Sequence, residues 1–222
     1  MNFSKKVTSN QEDIHSDLEK LVTRYAACDY RRPVAEHTQR AFESAMEFAN
    51  RFPKPLILDS GCGTGDSSLS LARKFPEHPV LGLDKSEIRL LKKNEVPGNV
   101  LLLRAELLDF WRLLVQNKIP VHFHALYYPN PWPKQSHLGR RFHAHPVFPA
   151  LLRVSRRLEL RTNWEIYARE FAAAAETAAR LFSLPSDVSL SRYMPEAPET
   201  AFEKKYLESG HFLWRVIFLS LK

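Results

Sequence analysis

Apolar positions along the chain change their period several times, and each change marks an element. Between Val34 and about Arg51, residues Phe42, Ala45, Met46 and Ala49 fall at i, i+3, i+4 and i+7, one face of a helix. An earlier helix is expected from a cap at Ser9 or Asn10 to about Cys28, with Asp29 to Pro33 breaking it. From Pro55 the pattern becomes short apolar runs, and 55–58, 80–83, 99–103, 121–127 and 158–161 read as buried strands. The stretches 67–75, 86–93 (capped by Ser86), 106–116, 147–156 and 164–182 read as helices. A proline-rich loop covers 128–146, and the tail holds one or two strands, the clearer at 212–219. Strands alternating with helices predict an α/β fold, a mainly parallel sheet with helices on both faces. Ligands of such sheets bind beyond the carboxyl ends of the strands. That rule singles out 59–65, Asp84, 104–106, 128–134 and 162–163.

Composition narrows the class. The 222 residues suffice for one domain with a small appendage, here an N-terminal helical extension over 1–52 and a main domain over 53–222. Hydrophobic residues at 44% and charged residues at 26% exclude wholesale disorder. The net charge of +7 favours an anionic partner without choosing among RNA, DNA and a membrane surface. Cys28 and Cys62 form no CxxC pair and no disulfide framework, as in a reducing compartment. The first twenty residues hold no apolar core of a signal peptide, and the best apolar run, 100–115, is broken by Arg104, Glu106, Asp109 and Arg112. The expectation is a soluble, cytoplasmic chain with no membrane partner.

The segment Asp59-Ser-Gly61-Cys-Gly63-Thr-Gly65 follows the first strand and opens a helix. Glycines there let the backbone turn tightly and let a ligand approach the main chain. Asp84 ends the second strand, where a carboxylate accepts hydrogen bonds from both ribose hydroxyls of an adenosine cofactor. The spacing is Gly-x-Gly-x-Gly rather than the Gly-x-Gly-x-x-Gly of dinucleotide binders, and Asp59 precedes it. A carboxylate there repels a pyrophosphate and attracts a cationic sulfonium. Both points favour S-adenosylmethionine over a nicotinamide cofactor, with Glu106 reaching the adenine edge. A glycine turn without a ligand is the plain alternative. Cys62 reads as a small filler, since nothing adjacent in sequence activates it. The set resembles the class I S-adenosylmethionine-dependent methyltransferases, which implies a Rossmann-like, seven-stranded sheet.

The loop after the fourth strand reads Tyr127-Tyr-Pro-Asn130-Pro-Trp132-Pro-Lys134-Gln-Ser136-His137-Leu-Gly-Arg140-Arg141. Prolines stiffen it, Trp132 offers a flat apolar face, and the basic run suits phosphate contacts and base stacking. A solvated basic loop with a packed Trp is the plain alternative. The segment resembles the Pro-Asp-Pro-Trp-x-Lys-x-x-His-x-x-Arg-Arg signature of the bacterial tRNA (guanine-N7)-methyltransferases. That family's Thr-Asp-x-x-x-Tyr-Ala is matched by Thr162-Asn163-Trp-Glu-Ile-Tyr167-Ala168, and its Thr-x-Phe-Glu by Thr200-Ala-Phe202-Glu203. The resemblance runs from about Leu56 to Phe218. It implies methyl transfer to N7 of a guanine in tRNA, by a monomer or homodimer. It implies that Asp59, Gly61, Gly63, Gly65, Asp84, Glu106 and Asn130 bind the cofactor, with Asn130 also at the catalytic position. Lys134, Asn163, Thr200 and Glu203 would contact the guanine nucleotide, and Ser136, His137, Arg140 and Arg141 the RNA backbone.

Two departures point the same way. Asn130 and Asn163 stand where the family has Asp. Asn keeps an acceptor oxygen and loses the charge that would stabilise a purine turning positive as the methyl arrives. The departures leave open another RNA base or small nucleophile, or an RNA-binding protein with weak or no catalysis. His122 and His124 share a strand face, and His143 and His145 form a second pair. No further ligand falls at a metal spacing, and the reaction needs no metal. Arg31 and Arg32 would extend an RNA footprint or lie solvated, and Trp111 and Trp164 read as core.

Overall fold

The computed structural model of the protein describes residues 4–28, 30–93 and 95–221, so Asp29 of the expected break lies outside the described residues. The strands are β1 (Leu56–Ser60), β2 (Val80–Asp84), β3 (Val100–Arg104), β4 (Val121–Tyr127), β5 (Arg157–Thr162), β6 (Ser186–Tyr193) and β7 (Leu213–Ser220). The helices are α1 (Leu18–Ala26), α2 (Glu36–Ala49), α3 (Asp66–Lys74), α4 (Glu87–Leu90), α5 (Leu107–Gln116), α6 (Phe148–Arg153), α7 (Glu165–Leu181) and α8 (Ala201–Glu208). The strands form one seven-stranded sheet in the order β3-β2-β1-β4-β5-β7-β6, the Rossmann-like arrangement of class I methyltransferases.

The chain divides into two compact units. One comprises Arg31–Tyr127 with Arg153–Ser155. In it β1 pairs in parallel with β2 and β4, and β2 with β3. Leu56, Ile57 and Leu58 of β1 are buried, as a central parallel strand covered on both faces requires. Helix α2 packs against β3 and α5, and α3 against β1, β2 and β3. The other unit comprises Met1–Tyr30, Tyr128–Leu152 and Arg156–Lys222. In it β7 pairs antiparallel with both β5 and β6. Helix α7 packs on β5, β6 and β7, and α1 packs on α7. A run of alanines, with Ala168, Ala174, Ala175 and Ala178 buried, lets α7 lie close to its neighbours while keeping helix propensity high.

Three elements differ from expectation. Helix α1 begins at Leu18, not near Ser9. The Ser9 hydroxyl oxygen accepts from the Gln11 amide, and the His15 amide donates to Glu170, so these backbone groups are satisfied outside a helix. Helix α4 is four residues long, and the Ser86 side chain makes no capping bond. Helix α8 was not legible as a helix, and the tail holds two strands, β6 and β7. Among the described residues, no helix is long and apolar enough to cross a membrane.

Gly82, in the middle of β2, has no room for a side chain. A Cβ there would lie 2.4 Å from both Leu102 Cδ2 and Ser68 Oγ, and 3.2 Å from Cys62 Sγ. The Ser68 hydroxyl is engaged by Asp59, so it yields only by breaking that bond. Gly82→Ala is expected to cost about 1–3 kcal/mol of stability by urea denaturation. Gly98→Ala serves as the control, because a Cβ there meets nothing within 4 Å, and it is expected to be near neutral.

Candidate functional site

The parallel unit ends its strands in carboxylates and bare backbone. Gly61, Gly63 and Gly65 adopt φ of 79°, 60° and 87°, a region that strains any residue with a side chain. A Cβ on Gly61 or Gly63 would meet nothing within 4 Å, so the main chain of both is open to a ligand. Asp84 is only 4% exposed and organises this loop. Its Oδ2 accepts from the Gly63 amide at 3.0 Å and its Oδ1 from the Ser86 amide at 2.8 Å. Each oxygen has a second lone pair, so the carboxylate retains capacity for ribose hydroxyls. Asp59, 1% exposed, accepts from both Ser67 and Ser68 hydroxyls at 2.6 Å, bracing β1 against the first turn of α3. Glu106 sits half-buried at the start of α5, where its amide donates to Thr38 and its side chain does not cap the helix. Acceptors for ribose, a buried negative charge and a bare backbone turn are the donor set that S-adenosylmethionine fits. Burial, then the charges of Asp59 and Asp84, push the Cys62 thiol well up, so it stays protonated and inert.

The loop after β4 begins with two residues at positive φ, Tyr128 at 51° and Trp132 at 47°. Backbone of this kind persists only where its surroundings hold it. Asn130, exposed between them, accepts from the Trp132 amide at 3.2 Å, closing a local turn. The Arg140 guanidinium stacks 4.9 Å from the Trp132 ring, and His137 meets the same ring edge-on. Lys134, Ser136 and Arg140 are exposed.

Arg141 does not join them. Both its side chain and that of Glu170 are 0% exposed, and the two form an ion pair. The Arg141 guanidinium also donates to the Trp132 and Lys134 carbonyls and to Gln11 Oε1. Glu170 in turn accepts from Gln11 Nε2, the His15 amide and His143 Nε2. The expected contact of Arg141 with an RNA backbone is therefore corrected: it is an internal anchor that holds the loop from beneath. Burial alone would raise the Glu170 carboxyl, but bonding to His143 and Gln11 and the Arg141 charge hold it below its ordinary value.

The C-terminal motif also turns inward. Thr200 caps α8, its hydroxyl oxygen accepting from the Glu203 amide at 2.9 Å. Glu203 is fully buried and accepts from the Tyr128 hydroxyl at 2.7 Å, from Arg161 at 3.2 Å and from the Glu199 amide at 2.7 Å. Glu203, expected to contact the guanine nucleotide, braces Tyr128 at the entry to the Asn130 loop. The Thr-x-x-Glu spacing is the capping signature that the sequence carried for α8. Arg161 and Glu170, which hold the two clusters together, carried no local signal. Asn163 Nδ2 lies 3.2 Å from His211 Nδ1, and His211 Nε2 lies 3.1 Å from the Ser4 carbonyl. With Nε2 donating to the Ser4 carbonyl, Nδ1 is the ring atom that accepts from the Asn163 amide.

His124 is buried, with Nε2 2.7 Å from the Ser60 hydroxyl that also accepts from the Trp111 indole. Burial pushes its pKa down to about 3, so it stays neutral. His122 is exposed and stacks on His78. Trp111 and Trp164 are buried, as their helix faces implied.

Glu170→Gln keeps the shape and leaves Arg141 buried without its counter-charge. The expected cost at pH 7 is about 3–5 kcal/mol by urea denaturation. Because the folded pKa of Glu170 is depressed from 4.5, its contribution is complete above that value and is lost as the pH falls through the folded one. The wild type is therefore expected to lose stability more steeply below pH 4.5 than Glu170→Gln does.

Comparison with known proteins follows the same lines. Residues 53–216 match the family described as "Putative methyltransferase". A tRNA (guanine-N(7)-)-methyltransferase of Treponema pallidum is 30% identical over 175 residues, 75% of this chain and 68% of that protein. The enzyme of the same name from Neisseria meningitidis serogroup C is 27% identical over 177 residues, 74% of this chain and 71% of that protein. Among solved structures, an antibiotic-related methyltransferase superposes with a TM-score of 0.57 at 15% identity, covering 83% of this chain and 98% of that one. A 16S rRNA (adenine(1408)-N(1))-methyltransferase variant from Catenulisporales acidiphilia superposes at 0.55 and 15% identity, covering 82% and 92%. These two share the fold. The sequence matches go further, and with the glycine loop and its paired acids they establish that the chain belongs to the family of the bacterial tRNA (guanine-N7)-methyltransferases, S-adenosylmethionine-dependent enzymes of class I.

Proposed function

We propose that the chain transfers the methyl group of S-adenosylmethionine to N7 of a guanine in tRNA. The observation that carries this reading is the loop after β4. It keeps Pro129, Pro131, Trp132, Lys134, His137, Arg140 and Arg141 at the family's spacing, and it turns Lys134, Ser136 and Arg140 outward from the Arg141 anchor. Exposed cations beside an aromatic face suit phosphate contacts and an unpaired base. In this reading Asp84 accepts from the ribose of the cofactor, Glu106 meets its adenine, and Gly61 and Gly63 give its amino-acid end a close approach. Asp59 favours the sulfonium through its buried charge rather than by contact.

Guanine N7 has an unshared pair and no proton to lose, so the reaction needs no general base. What it needs is a held base and a field that tolerates the positive charge forming on the purine. Asn130 holds the base and supplies a dipole where the relatives' signature supplies a charge. A second reading, methylation of another RNA base or a small nucleophile, draws on Asn163, which stands where the family has Asp and bonds to His211.

Purified protein, S-adenosylmethionine and unmodified tRNA, digested to nucleosides and read by mass spectrometry, are expected to yield 7-methylguanosine. Another methylated nucleoside moves the reading to the second acceptor, and none, from protein that binds the cofactor by calorimetry, removes tRNA as substrate. Asn130→Asp is expected to raise the rate of transfer, by up to about a hundredfold. A lower rate would give Asn130 a role of its own in different chemistry.

A further inference from the structure

One surface feature is used by none of the roles above. Three rings stack along α8 and just beyond it: Phe202 on Tyr206, with centroids 6.1 Å apart and planes at 26°, and Tyr206 on His211, at 5.3 Å and 16°. Tyr128 leans against the same Tyr206 ring at 5.4 Å. The series therefore starts beside Tyr128, which Glu203 braces two residues ahead of Asn130, and ends at Phe202. His211 is buried and Tyr206 is half-buried, but Phe202 is 49% exposed at the outer end. A large aromatic side chain left half exposed forgoes apolar burial that the fold would otherwise gain. Exposed Lys204 and Lys205 follow it on the same helix, Lys204 in a surface ion pair with Glu208 at 4.0 Å that a phosphate can displace, and Lys134 and Arg140 are exposed in the same unit.

We propose that Phe202 is a stacking platform for an unpaired RNA base, with Lys204 and Lys205 neutralising the flanking phosphates. The proposal rests on the reading that the substrate is tRNA and adds a second nucleotide subsite to it. Every base has a π-face, so a stack already three rings deep takes a base of any sequence as its next member. The cations beside it favour a polyanion over an apolar protein surface, since ammonium groups next to an anionic strand release counterions. The stack beneath holds the Phe202 ring in one plane, so little ordering remains to be done when a base arrives.

The test is binding of an unmodified tRNA transcript, followed by anisotropy over a range of salt, with Phe202→Ala, Phe202→Leu, Phe202→Trp and the double variant Lys204→Ala/Lys205→Ala. Phe202→Ala and Phe202→Leu are expected to weaken binding about tenfold with an unchanged salt slope, and Phe202→Trp to bind as the wild type or tighter. The double lysine variant is expected to flatten the salt slope. S-adenosylmethionine affinity, measured by calorimetry, is expected to be the same throughout and confirms that each variant is folded. Wild-type affinity in Phe202→Leu would overturn the proposal, since a plain apolar contact would then suffice, and so would wild-type affinity in Phe202→Ala. A wild-type protein that binds no tRNA would overturn the tRNA reading itself, an outcome separate from either of these.

Discussion

The Arg141–Glu170 ion pair lies wholly out of water, and it ties together the unit that carries the loop after β4. Two charges removed from solvent are tolerable only when every donor and acceptor is met. Meeting them recruits Gln11 and His15 from the N-terminal segment, His143 from the loop, and the carbonyls of Trp132 and Lys134. The requirement of the charges thus becomes a constraint on the chain. The segment before α1 is held out of a helix, and the loop after β4 is fixed with Trp132 at a positive φ. A loop held in this way presents Lys134 and Arg140 at defined positions with little entropy left to lose on binding.

A second buried charge, Arg161, does comparable work at the other end of the same loop. It pairs with Glu159, Glu199 and Glu203, and Glu203 holds the Tyr128 hydroxyl. The loop that bears Asn130 is therefore tied at Tyr128 through Glu203 and at Trp132 through Arg141. In the parallel unit the organising acids are Asp59 and Asp84, which spend hydrogen bonds on Ser67, Ser68, Gly63 and Ser86. In both units motif residues also build the frame.

The residues that stood out in the sequence divide on this point. Lys134, Ser136 and Arg140 lie on the surface as their motif implied, whereas Arg141, the neighbour of Arg140, is fully enclosed. Nothing local separates two consecutive arginines, because burial is decided by what packs over them. Thr200 and Glu203 read as substrate contacts from the family pattern, yet the same spacing is a helix cap, and α8 uses it as one. Helix α1 starts later than its apparent caps because Ser9 bonds within the N-terminal segment and to the Pro133 carbonyl. Asn163 looked like a lost carboxylate and is matched instead to His211.

The alternation of strands and helices, the glycine turn with its two acids, and the family signature of the loop after β4 could all be read from the order of residues. These are local in the chain: hydrophobic period, turn chemistry and motif spacing are written within a few neighbouring residues. Which charged residues face water and which hold the fold emerges once the chain is folded. The partners that settle it are far apart in the chain, with Gln11 separated from Arg141 by 130 positions and from Glu170 by 159. A charge declares its partner only when the chain has closed around it, because pairing and desolvation are properties of position in space and not of order in sequence.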